Sequence, residues 1–152
     1  MSPVSIPKWF LPLLLLAANQ AQATLGGSVD SVEADRKALG AARLSAVAGP
    51  GYQVHEVETG GTRIRQYVSP SGVVFGLAWN GLAHPDLETL LGDHAPAWRE
   101  AERQAPRTPG RRFRTVAASH LVVERWGHMR NLQGRAWDPL LLPAGVTADE
   151  IR

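Results

Sequence analysis

The feature that most constrains this chain is Gly60-Gly61, which stands between two runs of alternating side chains. Two glycines in that setting predict a two-residue β-hairpin, because the tight turns matching strand twist need positive φ. The turn fixes a register in which Thr59 faces Thr62, Glu58 faces Arg63, Val57 faces Ile64 and Glu56 faces Arg65. Two acid–base pairs then share one face and an apolar pair occupies the other; a slip of one residue would undo both. Ser69-Pro70-Ser71-Gly72 predicts a second tight turn. Residues 52–80 therefore read as a three-stranded antiparallel meander. Its expected core face carries Val57, Ile64, Val68, Val73, Phe75, Leu77 and Trp79, and Val54, Tyr67, Val74 and Ala78 are expected behind it.

Residues 1–23 carry the pattern of an export signal. Lys8 precedes the apolar run Trp9 to Ala18, and Ala21-Gln22-Ala23 offers a small-x-small cleavage site. The run falls well short of the ~20 residues that cross a bilayer, and no later stretch approaches that length. The expectation is a signal peptide over 1–23 and a single exported, soluble domain over 24–152, periplasmic or secreted. With no cysteine there is no disulfide framework and no thiol nucleophile. The 16 basic and 14 acidic side chains nearly cancel, so global charge favours no polyanion and no nucleic acid is expected as a partner.

Along the rest of the chain, Asp30 with Glu33 predicts a capping box opening a helix over 31–39, with Gly40 as its stop. Residues 41–51, ending in Gly49-Pro50-Gly51, read as a connection. Leu87, Leu90 and Leu91 give a helical stripe ending at Gly92, and a second helical piece runs from Ala97 to Gln104. Residues 105–112 are loop by composition. A later strand pair is expected, Phe113–Trp126 answered by Met129–Trp137 across Gly127-His128. The proline-bracketed tail from Asp138 reads as extended, with Thr147 and Glu150 able to cap one last turn. The expected fold is α+β: a single antiparallel sheet of about five strands (the three-stranded meander plus the later pair), with helices mainly on one face.

ATLGG, SVEADR, YQVHEVET, TRIRQYVSPSGVVFGLAW, HPDLETLLGDH, GHMR and GRAWDPLLLPAGV follow one another in a specific order. Together they resemble the domain-of-unknown-function family numbered 2844, over nearly all of residues 23–151. The resemblance implies a small exported proteobacterial protein of one domain. It brings no assigned activity and no catalytic residues.

The residues themselves favour binding over catalysis. There is no G-x-S-x-G elbow, and Ser119 beside His120 falls in a strand pattern where neighbours point apart. His84, Asp86, Asp93 and His94 are metal-ligand types, but at ~1.5 Å per residue they sit at opposite ends of a short helix, where capping explains them better. Glu56 and Glu58 face arginines, which disfavours them as proton donors. Arg99, Arg103, Arg107, Arg111, Arg112 and Arg114 form the one basic concentration, suited to an anionic envelope component or to solvent. Tyr52, Tyr67, Trp98, Trp126 and Trp137 exceed what one sheet face can hold. Arg65, Tyr67, Trp126 and Trp137 are thus the candidate ligand-binding residues, unless the PLLLP tail covers them. The expected function is a non-enzymatic binding or interaction module using a sheet face or strand edge, with no cofactor. Its partner would be another envelope protein or an anionic envelope component. A small metal-dependent or hydrolytic envelope enzyme and a structural subunit of an envelope assembly are the alternatives.

Overall fold

The structure is a computed structural model that describes residues 25–110 and 112–152; the expected signal peptide over 1–23 lies outside them. Seven strands form one antiparallel sheet: β1 (Ala42–Gly49), β2 (Tyr52–Thr59), β3 (Thr62–Val68), β4 (Val74–Gly81), β5 (Phe113–Ala118), β6 (Leu121–His128) and β7 (Asn131–Trp137). Their order is β1-β2-β3-β4-β7-β6-β5. Two consecutive meanders are therefore joined where β4 meets β7. Three helices, α1 (Val29–Ala38), α2 (Leu87–Leu91) and α3 (Ala95–Gln104), accompany the sheet.

The Gly60-Gly61 hairpin has the predicted register at all four positions, with both glycines at positive φ (55° and 75°). Glu56 binds Arg65 at 2.9 Å as expected, but Arg63 also turns to Glu56, at 3.4 Å, rather than to Glu58 opposite it. The Ser69–Gly72 turn closes with the Gly72 amide donating to the Ser69 carbonyl at 2.9 Å.

The sheet has seven strands rather than about five. Residues 42–49, read as a connection, are edge strand β1, and Gly49-Pro50-Gly51 is its turn into β2. The long strand expected from Phe113 is two, because Ser119 (φ 50°) and His120 form a turn. The next hairpin turns at Met129-Arg130, not at Gly127-His128. The first helix starts two residues early, at Val29, after a Ser28 N-cap that makes no side-chain bond, so the Asp30 capping box does not form. Pro96 sits inside the first turn of α3, which begins at Ala95. The closing turn does carry the expected capping box of Thr147 and Glu150.

One correction changes sidedness. The β3–β4 register shifts between Tyr67 and Val68, so Val68 pairs Val74 while Tyr67 pairs Gly76. Phe75 is the extra residue of a β-bulge. Val74 thereby joins the face of Val57, Ile64, Val68, Leu77 and Trp79, under Leu25, Val32, Leu87, Leu90 and Leu91. Phe75 goes to the other face, with Tyr67, Ala78, Trp137, Val146 and Ile151. Val73 precedes the strand and bridges to Ser28. The helices cover the first face and the C-terminal tail part of the second, giving two apolar layers on one sheet.

Candidate functional site

The tail decides what the second face can offer. From Asp138 it crosses the bulge, and Leu141, Leu142, Val146, Ala148 and Ile151 pack on Tyr52, Val54, Phe75 and Trp137. Tyr67 is 3% exposed and Trp137 8% exposed. The Tyr67 hydroxyl donates to the Arg152 carbonyl at 2.7 Å and accepts from the Arg152 amide at 3.0 Å. Arg65 bonds Glu56 and the same Arg152 carbonyl, at 2.8 Å. Arg135 stacks over the Trp137 ring at 5.1 Å, binds Glu124 at 2.7 Å and donates to the Ala148 carbonyl. Three of the four residues expected to bind a ligand, Arg65, Tyr67 and Trp137, thus contact the tail or the residue that holds it.

Trp126 stands apart from them. Along β6 it follows Glu124 onto the tail-covered side by strand alternation. It pairs with Phe113 on β5, and the two rings stack 6.1 Å apart at 26°. Phe113 remains 50% exposed. The register continues this row without a break: Trp126 opposite Gln133, Gln133 opposite Asn80, Asn80 opposite Arg63 and Arg63 opposite Glu58. Asn80, Arg63 and Glu58 are exposed and Gln133 is half-buried. At a strand spacing of about 4.8 Å the six side chains pave roughly 24 Å. The last turn of the tail lies beside them, held by Arg135 and Arg65. Trp126 is legible in the sequence; its five companions become visible only through register.

The four metal-type residues are engaged separately. His84 Nδ1 accepts from the Trp79 indole at 2.9 Å. Burial and then Arg125 hold its pKa below the usual histidine value. Asp86 caps α2, accepting from the Glu88 and Thr89 amides at 3.0 and 3.3 Å and from the Thr89 hydroxyl at 2.6 Å. The Thr89 hydroxyl leads in holding its pKa below the ordinary carboxylate range. Asp93 is exposed, and His94 lies 3.8 Å from Asp138. Among the described residues no group of three or more such side chains could hold a metal ion. Ser119 and His120 are exposed turn residues. Among the described residues no helix is long and apolar enough to cross a membrane.

The basic concentration divides. Arg99 pairs with Glu88 and Arg103 with Glu100, and Arg111 lies outside the described residues. Arg112 and Arg114 meet Arg125 and His84 at a cleft on the helical side, near the start of β5.

The sequence model of a family described as protein of unknown function (DUF2844) matches residues 21–151. No curated protein and no solved structure matches the chain.

Proposed function

The chain belongs to the DUF2844 family, whose description assigns no activity, and we infer from its surface that it is a non-enzymatic binding module for an extended carbohydrate chain. The observation that carries this reading is the open row from Phe113 to Glu58. Aromatic rings stack on the apolar faces of sugars, and planar amide, guanidinium and carboxylate groups hydrogen-bond to their hydroxyls. The row supplies both kinds of group in sequence across six strands, on a rigid sheet, with the last turn of the tail as one wall. A linear ligand would lie across the strands, alongside that wall. Glu56 and Glu124 nearby each hold an arginine, an arrangement suited to rigidity more than to proton transfer. The signal-like residues 1–23 support a place of action outside the cytoplasm, where envelope glycans are the abundant extended ligands.

Affinity electrophoresis through gels containing neutral or acidic soluble polysaccharides tests this. At least one glycan retards the chain, and Phe113→Ala and Trp126→Ala restore free migration while keeping the parent unfolding free energy within about 1 kcal/mol. Equal migration of parent and variants on every glycan defeats the reading.

A second reading, strand addition at the β1 edge, rests on Ser45–Gly49. These residues carry no charge and no proline, and Val47 is 59% exposed. Edges of that kind invite another strand. Its occupant would be a second copy in antiparallel pairing, and light scattering of the parent against Val47→Lys checks it: a dimer that the lysine breaks supports it.

A further inference from the structure

We propose that the cleft between the β4–α2 loop, the start of β5 and the β6–β7 hairpin is a binding site for a phosphate monoester or a chemically equivalent oxyanion. The cleft has a volume of about 370 Å³ and is lined by His84, Arg112, Arg114, Arg125 and Trp126, with Gly127 and Leu132 of the hairpin. It shares Trp126 with the Phe113–Glu58 row, but its charged groups Arg114 and Arg125 lie on the helical face with Trp79, so loss of phosphate binding in Arg112→Gln and loss of glycan binding in Phe113→Ala are read separately.

The case rests on charge and donor geometry. Three guanidinium groups converge here from two strands and the preceding loop. One carboxylate answers them: Glu102 Oε1 lies 2.5 Å from Arg125 and 3.1 Å from Arg114 Nε. Because that second contact is misaligned for a hydrogen bond, Arg114 Nε is left buried without an acceptor. Arg114 also reaches the Glu102 and Ala105 carbonyls at the end of α3, at 3.1 and 3.5 Å. Among the described residues no carboxylate pairs with Arg112. The lining therefore keeps an excess of positive charge after Glu102 is counted.

The neutral wall adds a fixed donor. An indole N–H only donates, so the bond from Trp79 requires an unprotonated His84 Nδ1, and the neutral imidazole then carries its proton on Nε2. Arg125 is held from its other side by the Trp98 ring at 5.8 Å. Guanidinium forks matched to phosphate oxygens, with one donor preset, form an oxyanion site with little reorganisation. Arg112 is an exposed member of the lining and would close on the ligand.

Nitrogen–proton NMR of the intact chain, titrated at constant ionic strength with inorganic phosphate, glycerol 3-phosphate and chloride, tests the site. Both phosphates produce saturable shifts at the Trp79 indole and at the Gly127 and Leu132 amides, with Kd of about 0.1–1 mM, and chloride does not. Arg112→Gln weakens binding about fivefold or more without changing the urea midpoint, and Arg125→Gln weakens it further. Vesicles containing phosphatidic acid, a lipid phosphate monoester, distinguish the source: capture that free phosphate competes away points to a lipid headgroup, and no capture points to a soluble ester. Shifts that are absent, equal for chloride or unchanged in Arg112→Gln overturn the proposal, as does vesicle capture indifferent to that substitution.

Discussion

The hydroxyl of Tyr67 both donates to and accepts from the backbone of Arg152, so one side chain of β3 clasps the last residue of the tail. Beside this clasp Ile151 is fully buried over Gly76. The tail is thus a layer of the core with a polar lock at its end.

Removing only the hydroxyl isolates the lock. Tyr67→Phe keeps the ring packing against Tyr52 and Phe75 and lowers unfolding free energy by about 1–3 kcal/mol. Hydrogen exchange at the Ile151 amide speeds up more than exchange in β6, which separates loosening of the tail from global loss.

Asp35 predicts an unusual pH profile. It is buried on α1, and its carboxylate accepts from the Gln66 side-chain amide at 2.6 Å. Burial raises its pKa from 3.8 to about 8, against the lowering effect of Gln66. The folded chain keeps this proton up to about pH 8, whereas the unfolded chain loses it near pH 4. Stability from this group is therefore greatest below pH 4, falls as pH rises between those values, and is level above. Asp35→Asn removes that slope and is the more stable protein at pH 8, by on the order of 1–3 kcal/mol. Chemical denaturation of parent and variant at pH 5 and pH 8 measures the difference.

Gly134 on β7 lies beneath the Trp79 ring. A Cβ there would stand 2.2 Å from Trp79 Cζ2 and 2.7 Å from the Glu124 carbonyl oxygen. Gly134→Ala accordingly destabilises by about 2–4 kcal/mol and alters the near-ultraviolet dichroism of the indole. Pairing it with Trp79→Phe recovers part of the loss, because the ring is one of the two obstacles.

Asp86 caps the five-residue helix α2 with both oxygens. Asp86→Ala costs about 1 kcal/mol by denaturant titration, and because the Thr89 hydroxyl holds the carboxyl below its ordinary range the cost persists into acid and shrinks only as the parent carboxylate is itself neutralised.

The first meander was readable because its turns carry the residues that positive φ and Pro-initiated turns demand. The second is less legible for the converse reason. Its turns place Ser119 and Arg130 at positive φ, residues that give no turn signal, while Gly127, also at positive φ, sits inside β6 as a false one. Beyond Arg43 and Leu44, β1 is built from alanine, serine, valine and glycine and lacks the bulky alternation that marks a half-buried strand. Phe75 fits an alternating pattern perfectly, yet the bulge beside Val68 sends it to the other layer. Residue types of the candidate site are legible too: the sequence marks Trp126 as a surplus aromatic and Arg112 and Arg114 as part of a basic concentration. Arg125 was not linked to them, since only the pairing of β5 with β6 sets it against Arg114.

The strand order carries a consequence for assembly. Each meander closes through neighbours in the chain, but the joint between β4 and β7 unites segments separated by α2, α3 and both other strands of the second meander. That joint can form only when nearly the whole polypeptide is available, and long-range closure of this kind slows folding. Until then β4 and β7 are two bare borders, each a template for the wrong neighbour. The molecule's most vulnerable moment is the interval before its two halves zip together.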